Sequence, residues 1–364
     1  MKKKGLVFIR TDLKKHIGVY HKVLEISKTL SLKGNVILVY NFGGKIIFSE
    51  YCENKLVYKR KINNVNIIKV IEDLLKKNKF EFAYIRFSLG DPISLIIQKI
   101  LNKNKVKIFL EIPVFPFDKE IISLKNKIRW YLNSLFFKSE IFLSDYIVST
   151  SYNVDNIFGK PIIRIFNGIH PEKFRLKKKQ KLERDFYLIG VSSLTFWQGY
   201  DRVIKGIYDF KKKNETYNVK FFIIGEGHER KKLEKMVKKL GLIDNVEFLG
   251  VLKGEKLDAF FDMAHIAVGA LGRHRTNSNN ISTLKASEYC ARGIPFFTSV
   301  NEIAFSEDFK FMKRIESNDE NIDIFEIIDF YKYCENFDYP LEMRQFAMKE
   351  LSWQKGLKNV LDLI

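Results

Sequence analysis

Only three cysteines, Cys52, Cys290 and Cys334, occur in 364 residues. They show no redox or metal-ligand spacing and cannot all pair, so a disulfide framework is excluded and a reducing compartment is expected. No Gly-x-Gly-x-x-Gly follows the first strand-like run, which counts against a dinucleotide site there. A Walker P-loop and a Gly-x-Ser-x-Gly elbow are also absent, leaving ATPase and hydrolase readings without support. There is no Asp-x-Asp triplet and no His/Cys/Asp/Glu set at zinc spacing, so no metal is expected. No apolar run is long enough to span a bilayer. The Met-Lys-Lys-Lys start runs directly into GLVFIR, too short for a signal core, so a cytoplasmic location is expected.

What the chain has is length and positive charge. Hydrophobic residues make up 46% and charged residues 29%, ordinary for a globular enzyme, and the length accommodates two domains with separate cores. Lys and Arg number 63 against 43 Asp and Glu, a net charge of +20. Such a charge permits attraction to nucleic acid, anionic lipid or phosphorylated substrates. The lysines are spread rather than striped and no recognition motif accompanies them, so no nucleic-acid partner is expected.

Through the first half, short apolar runs alternate with helical patterns. Strands are expected at 5–10, 35–42, 82–87, 107–112, 146–150 and 162–167, and helices around 19–33, 66–78, 92–103, 119–139 and 152–158. That alternation implies a parallel sheet covered on both faces. Ligands of open α/β sheets bind in loops beyond the strands' carboxyl ends, where Arg10, Asp12, Gly18, Arg86, Asp91 and Glu111 stand. In LEIPVFPFDKE (110–120), closely spaced prolines force an extended loop straight after a strand. The next segment mixes Lys125, Lys127, Arg129 and Lys138 with Trp130, Tyr131, Phe136 and Phe137. Such a helix either lies on an anionic membrane surface or packs amphipathically on its own sheet.

Asn-Gly at 167–168 marks a turn, and the basic run after it has little to bury. The first domain is therefore expected to span 1–170, with 171–185 as a basic linker and a second strand–helix domain over 186–342. Gly225 and Gly227 follow a strand and let backbone approach a ligand, although the third glycine of a fingerprint is missing. Residues 343–364 read as a closing amphipathic helix.

The stretch 265–300 is the most informative. HIAVGAL reads as a buried strand, RHRTNSNN as a polar loop, STLKASEYCARG as a helix and IPFFTSV as another buried strand. Ser282 or Thr283 caps the helix and Gly293 stops it. A strand, a loop and a helix N-terminus make an anion site. Arg273 and Arg275 in the loop and Lys285 in the first turn add cations. Glu288 lies three residues beyond Lys285, so one crevice could offer a cation to pyrophosphate and a carboxylate to ribose hydroxyls. A solvated Lys–Glu helix pair is the alternative.

LKASEYCARGIPFFTS resembles the donor-site helix of nucleotide-sugar glycosyltransferases with the glycosyltransferase-B (GT-B) fold. More narrowly, it is similar to the bacterial polysaccharide branch in which Leu-Lys, then Glu-Tyr, then Ala-x-Gly-x-Pro-Phe recur. The loop at 111–118 resembles the Glu-Ile-Pro-x-x-Pro-aromatic-Asp loop of that branch, and Asn-Gly-Ile at 167–169 resembles the GT-B interdomain hinge. The resemblance implies an α/β protein of two Rossmann-like domains facing across a cleft, with the last helix crossing back to the first domain. It implies a retaining group 1 glycosyltransferase that moves sugar from a nucleotide-diphosphate sugar to a glycan or polyprenyl-linked acceptor in surface polysaccharide synthesis. No cofactor is implied beyond the donor substrate, and a place on the anionic inner face of the cell membrane would suit the acceptor.

From the residues and the resemblance together, the expected catalytic residues are Lys285, Glu288 and Arg275, the arginine by inference from its place in the loop and not from a family rule. Donor contacts fall to Ser193, Gln198, Gly199, Gly225, Gly227, Arg273, Asn280, Ser282, Thr283 and Leu284, and acceptor contacts to Gly18, Arg86, Glu111 and Asp118. The chain departs from the wider family at three positions. Ser193 and Gln198 stand where an Arg and a Lys grip the diphosphate, and Asn280 replaces the first of two glutamates, the second being Glu288. Arg273, Arg275 and Lys285 are the cations at hand to replace those missing. The same departures keep a catalytically silent scaffold, binding a partner or glycan, as a rival reading.

Overall fold

A computed structural model describes residues 3–62, 66–88, 91–116, 119, 121, 124–213 and 216–364. The chain forms two compact units, Met1–Phe166 with Trp353–Ile364, and Asn167–Ser352.

In the first unit the apolar runs become the parallel strands Lys3–Asp12, Gly34–Phe42, Phe82–Arg86, Lys107–Glu111, Tyr146–Ser149 and Lys160–Arg164. Their continuous apolar character follows from burial on both faces, and each face carries its own core cluster. Trp353, Leu357, Val360 and Leu361 fill one of these cores beside Val7 and Leu38. The segment expected as one helix over 343–364 is interrupted: Tyr339–Glu350 ends in the second unit, and Trp353–Gly356 begins the return. Between them Ser352 is extended, in a parallel bridge with Ile169.

Both sheet edges differ from the expected pattern. Gly34–Phe42 continues into an antiparallel ribbon of Lys45–Cys52 and Lys55–Ile62. At the opposite edge Asn156–Ile157 pairs antiparallel with Lys160–Arg164, where a helix over 152–158 was expected. Phe158 and Gly159 both take positive φ, so the chain reverses at once and no helix can form. Helix Leu124–Leu143 buries Phe137 and Ile141 in the core and exposes Ile128, Tyr131 and Phe136. Among the described residues no helix is long and apolar enough to cross a membrane.

The second unit is a six-stranded parallel sheet in the order Val246–Gly250, Asn218–Ile224, Asp185–Val191, Ile266–Val268, Phe296–Thr298 and Met312–Arg314. A short parallel pair, Asn280–Ile281 with Asn301–Glu302, stands apart from it. The run 171–185 is not a solvated linker. Lys177 is buried and donates to the Ala264 carbonyl at 2.7 Å, with burial pulling its pKa down to about 7. Lys179 caps the Glu335 and Phe337 carbonyls, and Arg175 pairs with Asp262 at 2.8 Å. Long basic side chains bury their stems and spend their heads on carbonyls, so the run packs into the second unit.

Candidate functional site

Strand Ile266–Val268 delivers the chain to a short helical turn, Arg273–Thr276, and then to the pair strand Asn280–Ile281. Helix Leu284–Arg292 starts there, capped by Thr283, whose hydroxyl accepts from the Ala286 N–H at 3.3 Å, and stopped by Gly293 at φ 72°. The Thr283 N–H donates to Glu302 Oε2 at 2.9 Å, and its hydroxyl donates to Oε1. Glu302 is buried on the strand alongside, so the chain's own carboxylate fills part of the anion seat. Burial raises the Glu302 pKa to about 7, against Thr283, Lys285 and Arg273, which lower it.

Lys285 extends from the first turn to Gln198 Oε1 at 2.6 Å and the Gly269 carbonyl at 2.9 Å, with the Tyr200 ring centre 5.6 Å away. Burial of the ammonium lowers its pKa to about 7; Glu302 opposes the shift and Arg273 adds to it. Arg273 lies over the Trp197 ring at 5.4 Å. Gln198 is held by a backbone clasp, because Leu271 N–H donates to its carbonyl at 3.0 Å. Gly199, at φ 70°, permits the clasp: a Cβ there would sit 2.6 Å from the Leu271 carbonyl carbon.

Arg275 does something other than the expected phosphate contact. It donates to Asp201 through two nitrogens at 2.9 and 2.8 Å, to Asp319 at 2.7 Å and to the Phe196 carbonyl at 2.7 Å. That guanidinium is a brace tying three segments together. Gly225 and Gly227 also answer to the chain itself, since Cβ atoms there would meet the Ser192 and Leu194 carbonyls at 1.9 and 2.2 Å. The close backbone approach is real, and what approaches is the neighbouring loop.

The remaining donor-side residues are spread out. Ser282 Oγ accepts from the Asn167 N–H at 2.9 Å, its carbonyl accepts from Asn167 Nδ2 at 2.8 Å, and Ser287 donates to the Asn167 carbonyl at 3.3 Å. Ser282 thus pins the Asn-Gly turn to the helix start. Asn280 accepts from Asn301 at 3.2 Å, while Ser193 and Leu284 are exposed. Glu288 Oε1 accepts from Arg292 at 2.8 Å, and Arg292 pairs with Asp258 at 2.6 Å. Lys285 and Glu288, one turn apart, share no partner.

The site therefore gathers Lys285, Gln198, Arg273, Thr283 and Glu302. Sequence reasoning missed Glu302, Asp201, Asp319 and Asn167. Only Asn167 carried a signal, the turn-forming Asn-Gly pair; the others lie far along the chain from the helix they serve.

In the first unit Glu111 is fully buried, accepting from Arg86 at 2.6 Å and pairing with buried Lys22 at 2.9 Å. Burial pushes its pKa up, but Arg86 and Lys22 outweigh burial and bring it down to about 2. This is an internal ion cluster, and Glu111 presents no surface to an acceptor. Gly18 is exposed in the first turn of helix Ile17–Leu30. Asp118 lies outside the described residues.

The paired α/β units with parallel sheets define the class: the fold is that of GT-B glycosyltransferases. A glycosyltransferase from Rickettsia africae superposes with TM-score 0.65 at 13% identity, covering 100% of this chain and 97% of that one. Sucrose-phosphate synthase from Thermosynechococcus elongatus gives 0.67 at 12%, covering 99% and 98%. Anabaena HepE in complex with UDP gives 0.62 at 12%, covering 100% of both. More particularly, residues 172–304 match the family of glycosyl transferases group 1. Two uncharacterized glycosyltransferases of Methanocaldococcus jannaschii are similar in sequence, at 29% identity over 33% of this chain and 26% over 57%. The matches span about a third and about half of those relatives' own lengths, 34% and 54%.

Proposed function

We propose that this chain is a glycosyltransferase that takes a sugar from a nucleotide-diphosphate donor and passes it to a glycan or lipid-linked acceptor of a surface polysaccharide. The observation that carries the reading is the withdrawn ammonium of Lys285, held by Gln198 and the Gly269 carbonyl at the first turn of helix Leu284–Arg292. A cation in that position meets charge that grows on a departing diphosphate, and it does so without water to reorganise. Arg273 and the first-turn N–H groups share that task. The ribose role falls to Glu288, since Arg292 engages only one of its carboxylate oxygens.

In this reading the reaction needs no metal and retains configuration at the anomeric carbon. The first unit handles the acceptor, and the exposed Ile128, Tyr131 and Phe136 of helix Leu124–Leu143 suit a place at the membrane face. UDP-sugars are the donors to try first, because HepE was crystallised with UDP. The test is release of nucleoside diphosphate from a panel of nucleotide sugars with a glycan acceptor extract, in excess EDTA. Release that depends on Lys285 supports the reading. Binding without release from any donor would favour the silent scaffold, the reading that Gln198, neutral and already bonded to Lys285, keeps open.

A further inference from the structure

Among the described residues, a cluster of unpaired positive charge lies in the first unit, on the antiparallel ribbon that the sequence did not announce. Lys14, Lys45, Lys59, Arg60 and Lys61 line a groove of about 570 Å³, together with Phe42, Gly43 and Ile47. All five cations are exposed, and none makes a salt bridge or a side-chain hydrogen bond to an acceptor among the described residues. The register explains the convergence of the ribbon lysines, while Arg60, opposite Phe48, belongs to the other strand face. Lys59 and Lys61 stand opposite Ser49 and Ile47, which puts both on the strand face that also carries Lys45. The Lys45 ammonium is close enough to lower the Lys61 pKa. Asp12, the acid beside the groove, is already committed: its carboxylate accepts from the Gly43 N–H at 2.7 Å and the Lys14 N–H at 3.1 Å.

Placement gives this cluster meaning. Lys14 follows strand Lys3–Asp12, and Phe42 and Gly43 end strand Gly34–Phe42, so the groove opens at the carboxyl ends of parallel strands. Open α/β sheets bind ligands at that end. Crowding cations without carboxylates costs self-repulsion, and an arriving polyanion relieves it. Several converging ammonium donors match the acceptor oxygens of phosphate groups.

We propose that this groove is a phosphate-binding site of the first unit, taking a molecule that carries a pyrophosphate or two closely spaced phosphates. That group arrives either on a lipid or on a soluble compound. The chemistry is independent of the donor reading for Lys285.

The test titrates inorganic pyrophosphate into the full chain by calorimetry, in a Lys285→Ala background that removes the second-unit cation. Adding Lys59→Glu and Lys61→Glu weakens binding at least tenfold. Lys238→Glu with Lys239→Glu, the same charge change on an exposed helix, leaves it within twofold. Equal loss in both variants, or loss in neither, overturns the site. If the groove reversal fails to fold, Lys45→Gln with Lys61→Gln takes its place, with a threefold or greater loss expected and no loss contradicting the site. Co-sedimentation with phosphatidylcholine vesicles, with and without phosphatidic acid, separates the sources. Retention on the acidic vesicles that Lys59→Glu/Lys61→Glu abolishes assigns the lipid. Equal recovery from both vesicles beside intact pyrophosphate binding assigns the soluble compound. UDP affinity compared with and without Lys285→Ala, both in the Lys59→Glu/Lys61→Glu background, reports on the donor site alone.

Discussion

Thr283 caps helix Leu284–Arg292 and at the same time gives both its N–H and its hydroxyl to Glu302. The helix therefore meets a carboxylate of its own chain, buried and with its pKa raised to about 7. A raised carboxyl pKa means the folded state holds its proton longer than the unfolded chain does. Glu302 thus contributes stability below its unfolded value near 4.5, and this is lost as pH rises towards 7. Thermal unfolding of Glu302→Gln should show a flatter decline than wild type between pH 5 and 7, by about 1–3 kcal/mol. Parallel pH profiles for the two proteins would remove Glu302 from that role.

Arg275 is braced rather than free. Its bidentate pairing with Asp201 cannot be reproduced by an ammonium. Arg275→Ala and Arg275→Lys should both destabilise the second unit, by about 2 kcal/mol for alanine. Chemical denaturation followed by the midpoint checks this. A lysine variant as stable as wild type would show that charge alone is what the position needs.

Glu111 carries the buried ions of the first unit. Removing it leaves Lys22 and Arg86 facing each other without a carboxylate, at a cost of about 3–5 kcal/mol. Its pKa is depressed to about 2, so the stability it supplies is present above its ordinary value near 4.5 and lost as pH falls through 2. Glu111→Ala should unfold at clearly lower denaturant, and Glu111→Gln should lose the wild-type dependence on pH between 2 and 5.

The glycines separate by what surrounds them. An alanine at Gly225 would put Cβ 1.9 Å from the Ser192 carbonyl oxygen at φ +131°, whereas one at Gly18 meets nothing within 4 Å. Gly225→Ala should cost about 2 kcal/mol or more. Gly18→Ala should add a few tenths to about 1 kcal/mol of stability, since it only improves a helix. Melting temperatures of the two variants read out the difference, and a destabilised Gly18→Ala would contradict the open space around that residue.

These contrasts show what a sequence can and cannot expose. Parallel strands declare themselves as short apolar runs, and a helix declares its cap and its stop, so Thr283 and Gly293 were legible. The ribbon over 45–62 was not, because its outer strand KLVYKRKI is solvent-exposed along its length and shows no buried alternation. Its turn, Glu53-Asn54, takes two positive φ values without a glycine to announce them. The place of Lys285 in the first turn of its helix was legible too. Arg275 was misjudged because its partners, Asp201 and Asp319, are 74 and 44 residues away. Charge is read locally in a sequence and paired globally in a fold.

The most direct test of the central claim is calorimetric titration of UDP into the wild type and into Lys285→Ala, each first shown to be folded by its melting temperature. If the Lys285 ammonium meets the donor diphosphate, the wild type binds and the variant loses tenfold or more in affinity, about 1.4 kcal/mol or above. A folded Lys285→Ala protein that binds UDP as tightly as the wild type would contradict it.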